Sequence, residues 1–300
     1  MTACNDLRYV VDKLGWMRAE SIWPNGRRYL WTDAFGVILL ASLYAASEER
    51  KYLDEAERLV GEVDRVLGRS RGIRIGEAPD RDGQYFHYLA MWLFSLSVLG
   101  RHIPDYRKKG VELVRQIHDR FVLPNRGVVW KMSEDLSAPY AGYRFGALDA
   151  FDGYVSYRLL DESTLSAEIA DMRRLIDRSA PDLLITQDLG LGMMLWMSHF
   201  FPEEDWARVQ KARCQGLLDR MWMEDGYFCR EPGMHDVKFA FTNYGVSVGL
   251  QATEAMPERV AMLNAFFEAY RSGDEYDREA ITHVMACSSH FPGYLVRTFG

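Results

Sequence analysis

Acidic and amide side chains recur at five places in the chain, each beside a glycine or an aromatic residue. The five stretches are "WTDAFGV" (31–37), "RDGQYFHY" (81–88), "ALDAFDGY" (147–154), "TQDLGLG" (186–192) and "FTNYGVS" (241–247). Each stretch stands at the predicted start of a mostly apolar helix. Carboxylates grouped in this way can exchange protons with a substrate, and amides can bind its hydroxyl groups. The sequence therefore predicts a polar site built from helix starts.

Four aspartates are the predicted catalytic residues of this site. Asp82 or Asp149 is expected to be protonated by burial and by neighbouring like charge, and to donate a proton. A second carboxylate, Asp33, Asp152 or Asp188, is expected to stay ionised and to activate water or stabilise positive charge. Capping of free backbone N–H groups is an alternative role for each, and it is the more common role for Asp188 taken alone.

Aromatic, amide and basic residues around these acids are the predicted substrate-binding groups. They are Trp31, Arg74, Gln84, Tyr85, His87, Tyr88, Trp130, Lys131, Asp188, Asn243, Tyr244 and His283. Aromatic faces would stack on a sugar ring, or would stabilise a carbocation. Arg74 and Lys131 have two alternatives, an anionic group of the ligand or a salt bridge to the acids, and the salt bridge is more common. His87 is either a pocket residue or a core histidine, and His235 with Asp236 are further candidates.

Two kinds of predicted helix alternate along the chain. Segments such as "DAFGVILLASLYAA" are apolar on every side, whereas the segment that follows has a single apolar stripe through Tyr52, Ala56 and Val63. The predicted pairs are about 32–48 with 50–67, 84–100 with 105–121, 148–160 with 164–178, 189–201 with 204–222, and 240–254 with 257–271. Residues 279–296 form a sixth buried segment, and the N-terminal helix with Leu7, Val10, Val11 and Leu14 is its predicted outer partner.

Six buried helices ringed by six one-sided helices predict an all-α fold, an (α/α)6 toroid. Residues 1–300 would form a single domain that the N- and C-terminal helices close. The starts of the inner helices would then converge at one end of the barrel. An open helical solenoid is the alternative for a repeat of this length. Strand-like alternation is confined to "RGIRIGE" (71–77) and "GVVWKMS" (127–133).

Charge and cysteine content restrict the partners and the compartment. With a net charge of -7 and a pI near 5.6, the chain offers no basic stripe for nucleic acid or an anionic membrane. Four scattered cysteines form no CxxC pair, which favours a reducing cytoplasm over a disulfide framework. The N-terminus is not typical of a signal peptide, and no apolar run approaches about 18 residues. The partner is expected to be a small molecule, and the oligomeric state is left open.

Sequence signatures for cofactors and metals are missing, because the chain has no GxGxxG, no GxxxxGK[ST], no HExxH and no zinc spacing of His and Cys. The stretch "GVSVG" (245–249) matches GxSxG, but it falls inside the predicted helix 240–254 and not at a strand-to-helix turn, so the chain lacks a nucleophile elbow. We therefore expect acid/base catalysis without a metal ion or a cofactor.

Six motifs give the chain a resemblance to a known superfamily. They are "LWTDAFG" (30–36), "IRIGE" (73–77), "DGQYFHYLAMW" (82–92), "WKMSEDLSAP" (130–139), "LDAFDG" (148–153) and "QDLGLG" (187–192). The chain resembles the six-hairpin glycosidase-like superfamily, in particular a little-characterised branch with these motifs. The branch has Thr-Lys where this chain has Ala90-Met91, and Pro-Leu where it has Ala150-Phe151. The resemblance implies a toroid fold and relatives among glycoside hydrolases, unsaturated uronyl hydrolases and sugar 2-epimerases.

Three functions fit these observations. The first is an enzyme of the six-hairpin glycosidase-like kind that hydrolyses or isomerises a small saccharide or glycoside. The second is a cyclase or isomerase of a hydrophobic, terpenoid-like substrate, favoured by the aromatic content of 13% but not by any DxDD or DDxxD motif. The third is a binding protein that retains the fold without catalysis. An enclosed pair of carboxyl groups with shifted pKa values would favour an enzyme.

Overall fold

The computed structural model describes residues 3–140, 142, 144–225, 240–271, 273 and 275–297. These residues form twelve α-helices, which confirms the all-α class. The helices are α1 Ala3–Ala19, α2 Leu30–Ser47, α3 Arg50–Leu67, α4 Phe86–Leu99, α5 Asp105–Phe121, α6 Asp149–Asp161, α7 Ser166–Ser179, α8 Asp188–Ser198, α9 Asp205–Asp225, α10 Ala240–Ala252, α11 Pro257–Ala269 and α12 Ala280–His290. Short 3-10 helices cover Glu275–Arg278 and Gly293–Leu295.

Four two-residue strands lie between the helices. Strand β1 (Gln84–Tyr85) pairs antiparallel with β4 (Lys131–Met132), and β2 (Val122–Leu123) pairs antiparallel with β3 (Gly127–Val128). The strand-like "GVVWKMS" thus contains β3 and β4, whereas "RGIRIGE" holds only a single bridge from Ile73 to Gly68. The pairing of β1 with β4 attaches the long segment before α6 to the start of α4.

The two kinds of helix have the burial that their composition predicts. In α2 every residue from Leu30 to Leu43 is buried. In α3 burial is confined to one face, which includes Tyr52, Ala56 and Val63. A helix that is apolar all round lowers its free energy by packing on every side, whereas a striped helix needs only one neighbouring layer.

Helices of the described residues fall into two compact units. Gly26–Leu183 forms one, here called the α2–α7 unit, and Met1–Asn25 with Leu184–Gly300 forms the other, the α8–α12 unit. Within the α2–α7 unit, α4 packs between α2 and α6, and each of these three helices packs on the helix that follows it. The prediction of a single domain over residues 1–300 stays a prediction.

The N-terminal helix belongs to the α8–α12 unit. There α10 packs against both α8 and α12, and α1 packs against α12. The expected pairing of the first helix with the last is therefore confirmed. Its physical basis is the buried stripe of α1, which includes Val10, Leu14 and Met17.

Glycines bring α8 and α10 into backbone contact. A Cβ atom placed on Gly249 of α10 would lie 2.1 Å from the carbonyl oxygen of Gly192 in α8. A Cβ atom on Gly192 would in turn lie 2.5 Å from the carbonyl oxygen of Gly245. These distances leave no room for a side chain, so the close packing of the two helices depends on glycine.

One helix among the described residues, α2, is long and apolar enough to cross a membrane by length and composition. However, 78% of its apolar stretch is buried inside the protein. With this burial, α2 is a core helix of the protein.

Candidate functional site

Three helix starts meet in the α2–α7 unit because α2, α4 and α6 pack side by side. Trp31 of α2 lies edge-on to His87 of α4, with 5.9 Å between the ring centroids. The Nδ1 atom of His87 lies 3.8 Å from Oδ1 of Asp149, the first residue of α6. The predicted convergence of these three residues is therefore present in this unit.

Aromatic rings surround the imidazole of His87. The Tyr85 ring stacks on His87 at 5.4 Å and on Trp130 at 5.0 Å between centroids. Tyr88 lies edge-on to His87 at 4.6 Å and beside Trp31 at 5.2 Å. We call Trp31, Tyr85, His87, Tyr88 and Trp130 the aromatic cluster. Antiparallel pairing of β1 with β4 places Tyr85 beside Trp130.

His87 supplies the imidazole of the aromatic cluster, and 35% of its side chain is exposed. Burial among the rings lowers the pKa of His87 to about 4. The reason is that a charged imidazolium would lose hydration that neighbouring rings only partly replace. His87 is consequently uncharged at neutral pH, and its exposed edge remains open to a ligand.

Burial raises the pKa values of two carboxyl groups at the start of α6. Asp149 is 3% exposed, and burial together with the nearby Asp152 raises its pKa well above the usual range. Burial raises the pKa of Asp152 to about 8. The Oδ2 atom of Asp149 is buried without a hydrogen-bond partner among the described residues. A Cβ atom on Gly146 would lie 1.8 Å from this oxygen, so the turn before α6 requires glycine.

Asp82 is held in an ion pair, contrary to its predicted role as proton donor. Its Oδ2 atom accepts a hydrogen bond from Nη1 of Arg74, and its Oδ1 atom accepts from the backbone N–H of Gly76 at 3.2 Å and of Gly83 at 2.8 Å. Protonation would displace one of these donors. Arg74 is thereby engaged within the protein, so the salt-bridge alternative holds and a direct contact of Arg74 with a ligand is not supported.

Asp33 also forms a buried ion pair. One of its oxygens lies 3.3 Å from Nη1 of Arg28, and the other accepts a hydrogen bond from the backbone N–H of Tyr29 at 3.3 Å. Both charged side chains are almost fully buried. Asp33 therefore ties the start of α2 to the segment before it, which is the capping alternative for a helix-start acid.

Gln84 is fully buried and does not face a ligand, which corrects the prediction that it binds substrate. Its Oε1 atom accepts from the backbone N–H of Ile73 at 2.9 Å, and its Nε2 atom donates to the carbonyls of Arg71 and Glu134. The prediction assumed that Gln84 belongs to the helix, whereas it lies in β1 before α4 begins. Gln84 thus connects β1 to the loop at residues 71–73 and to the loop at Glu134.

Lys131 is buried under two tyrosine rings and is engaged in the same way. Its ammonium group donates to the carbonyl of Arg81, lies 3.5 Å from a carboxylate oxygen of Glu77, and lies over the rings of Tyr85 and Tyr140 at 4.5 and 4.1 Å. Lys131 thus holds Tyr85 in place and, like Arg74, is paired within the protein. Sequence reasoning missed Glu77 and Tyr140, although Glu77 ends the quoted motif "IRIGE".

The remaining predicted residues belong to the α8–α12 unit. Asp188 is the first residue of α8, after the N-cap Gln187, and its Oδ1 atom accepts from the backbone N–H of Leu189 at 2.7 Å. Asn243 and Tyr244 are buried near the start of α10. His283 of α12 donates from Nε2 to a backbone carbonyl, and burial lowers its pKa to about 4. His235 and Asp236 lie outside the described residues.

Within the described part of the chain, no three His, Cys, Asp or Glu side chains are grouped as metal ligands.

No protein-family model and no curated protein matches the sequence. Among solved structures, the chain is similar to cellobiose 2-epimerase from Spirochaeta thermophila DSM 6192, with a TM-score of 0.60 and 13% identity over 88% of this chain and 86% of that chain. A sugar epimerase from a ruminal bacterium has a TM-score of 0.49 and 12% identity over 86% of this chain and 74% of that chain. Both neighbours belong to the six-hairpin glycosidase-like superfamily. The chain has the (α/α)6 toroid fold.

Proposed function

We propose that this protein is a carbohydrate isomerase that epimerises a small saccharide by proton transfer at His87. The observation that carries the proposal is an uncharged imidazole beside a protonated carboxyl group within a cluster of aromatic rings. The likeness of the fold to a cellobiose 2-epimerase supports the same class of reaction.

His87 is the proposed catalytic residue because it combines an exposed edge with an uncharged ring at neutral pH. Its Nδ1 atom faces Asp149, which leaves Nε2 as the atom that can take a proton from substrate. In an open-chain reducing sugar, Nε2 removes the proton from the carbon next to the carbonyl and leaves an enediolate. Rotation about the C2–C3 bond then turns the other face of C2 toward His87, and return of the proton to that face inverts the centre. A neutral base suits this task because it accepts the proton without first losing one.

Asp149 is the proposed positioning residue for His87. Its carboxyl group is buried and lies behind the imidazole as seen from the exposed edge. When Nε2 of His87 gains the substrate proton, the partial negative charge on the Asp149 oxygen beside Nδ1 attracts the imidazolium. Asp149 would thus stabilise the protonated His87 during the reaction.

The aromatic cluster is the proposed binding surface for the sugar. Tyr85 and Trp130 present stacked rings beside His87, and ring faces pack on the apolar CH surface of a pyranose or of its open chain. Lys131 beneath Tyr85 holds this surface in place.

Glycoside hydrolysis is less well supported because it needs one protonated and one ionised carboxyl group. Of the four predicted catalytic aspartates, Asp149 and Asp152 hold protons at neutral pH. Asp33 and Asp82 are engaged in ion pairs with arginines. None of the four is therefore an ionised carboxylate that is available to water or to an anomeric carbon.

Proton exchange in D2O tests the proposal directly. The purified protein is incubated with cellobiose, lactose, glucose and mannose, and NMR follows deuterium at C2 together with the epimeric products. We expect deuterium at C2 of at least one sugar, and loss of this exchange in His87→Asn. Release of new reducing ends without exchange would instead assign a hydrolase, and exchange that persists in His87→Asn would remove His87 from the mechanism.

A further inference from the structure

The α8–α12 unit contains a cavity of about 410 Å³ between α1, α10, α11 and α12. This volume lies within the range of about 300–1,000 Å³ that is typical of small-molecule pockets. Its lining comes from the middle of α1, the starts of α10 and α12, and the end of α11 with the segment after it. The epimerase proposed for the α2–α7 unit does not use these residues.

Six aromatic side chains line the cavity. They are Tyr9, Trp16, Tyr244, Phe267, Tyr270 and Tyr276. Trp16 is 38% exposed and lies edge-on to His283 at 4.8 Å between centroids, so it stands where the cavity opens. The tyrosine hydroxyls and the hydroxyl of Thr282 add polar atoms to the wall. Rings with interspersed hydroxyls are suited to a polyhydroxylated ring, since they offer both stacking and hydrogen bonds.

Two cations of the lining form no ion pair with any described residue. The ammonium group of Lys13 lies over the Trp16 ring at 4.6 Å. Arg271 donates only to the backbone carbonyls of Glu268 and Tyr270. Burial lowers the pKa of Lys13, and the positive charge of Arg271 also lowers it, whereas Cys287 and Glu268 raise it. An anion bound between the two side chains would offset both effects.

The carboxylates at the cavity are engaged elsewhere. Asp12 is exposed and lies 3.8 Å from Arg8 on the same helix. Asp277 accepts the backbone N–H of Gly273 at 2.9 Å. Neither of these carboxylates forms an ion pair with Lys13 or Arg271.

We propose that this cavity is a binding site for an anionic sugar, with its phosphate or carboxylate group at Lys13 and Arg271 and its ring against the aromatic wall. Phosphates and carboxylates both accept charge-assisted hydrogen bonds from ammonium and guanidinium groups. The shared chemistry is a sugar-sized ring that carries one anionic group.

Titration calorimetry with three probes tests the site. The probes are glucose 6-phosphate, glucuronate and glucose, which share a ring size and differ in charge. We expect at least one of the two anions to bind, with glucose at least tenfold weaker. In Lys13→Met and in Arg271→Met, the affinity for the anion should fall roughly tenfold, as expected for the loss of one charge-assisted hydrogen bond.

The matched control is Lys108→Met, which removes the same charge from an exposed ion pair with Asp105. It should leave the affinity for the anion unchanged. Glucose that binds as tightly as the anions, anion binding that survives in both variants, or no binding of any probe at millimolar concentration would overturn the proposal. Binding is measured without turnover, so its outcome is independent of the epimerase proposed above.

Discussion

His87 and Asp149 face each other as an uncharged pair, and this state has consequences for substitution at either residue. Because burial raises the pKa of Asp149 and so favours its neutral form, Asp149→Asn puts a neutral amide of the same shape in its place. We expect the free energy of unfolding at pH 7 to stay within about 1 kcal/mol of the parent value. The exchange rate at C2 should fall at least tenfold, with a lower kcat and an unchanged KM, since Asp149 acts through His87 and does not touch substrate.

The control for this substitution is Asp182→Asn, which changes an exposed aspartate of the same unit. This substitution should change neither the free energy of unfolding nor the rate of deuterium exchange at C2. Urea denaturation and deuterium exchange on the two variants give the comparison. A strong loss of stability in Asp149→Asn alone would mean that the carboxyl group is ionised in the folded protein.

Asp152 makes stability depend on pH in a defined direction. Its pKa rises from the usual value near 4 in the unfolded chain to about 8 in the folded protein, so the folded state binds more protons between these values. Stability should therefore fall as pH rises through this window, by at most about 1.4 kcal/mol per pH unit from this group. Histidines with lowered pKa values, such as His87, act in the opposite sense only below about pH 6.5.

Denaturant unfolding between pH 6.5 and 8 isolates the carboxyl contribution. The free energy of unfolding of the parent protein should fall as the pH rises across this interval. In Asp152→Asn, the fall in the free energy of unfolding should be smaller. Identical slopes for the two proteins would show that Asp152 has an ordinary pKa in the folded state.

At the scale of elements, the contact between α8 and α10 is the most sensitive to side-chain size. Gly249→Ala would place a methyl group against the Gly192 carbonyl, and we expect a loss of about 1–3 kcal/mol from overpacking. Gly216→Ala in α9 is the control, because its Cβ atom would meet open space. That substitution should be neutral or stabilising by up to about 1 kcal/mol. Thermal melts compare the two, and equal effects would contradict the close contact.

Helix positions follow from the sequence because periodic burial is a local property. The predicted ranges 50–67 and 105–121 coincide with α3 and α5, whereas the predicted start at residue 84 lies two residues before α4. The difference arises because Gln84 and Tyr85 pair with Lys131 and Met132, a contact between distant residues that helical periodicity does not contain.

The sequence predicted which types of residue form the candidate site, but it did not predict their protonation or their ion pairs. The acids at helix starts were found, and Asp149 does lie beside His87 with a raised pKa. The pairing of Asp82 with Arg74 depends on how one loop closes, and spacing along the chain does not reveal it. Burial determines which carboxyl group is protonated, and burial depends on the packed structure.

At the scale of the whole molecule, the first and last helices depend on each other. Residues of α1 pack on α12, which lies more than 250 positions later in the chain. Leu14→Ala on the buried stripe of α1 should cost about 2–5 kcal/mol in the free energy of unfolding. Val11→Ala, at a 39% exposed position of the same helix, should cost less than about 1 kcal/mol. Urea midpoints measure both, and equal midpoints would contradict the packing of α1.

The two proposed sites should differ in how strongly binding depends on ionic strength. A neutral sugar bound at the aromatic cluster meets no charged partner for dissolved salt to screen. An anion held by Lys13 and Arg271 loses part of its attraction as the Debye length shrinks from about 10 Å at 0.1 M salt to about 3 Å at 1 M. A salt titration would therefore separate the two binding events in one protein sample without any substitution.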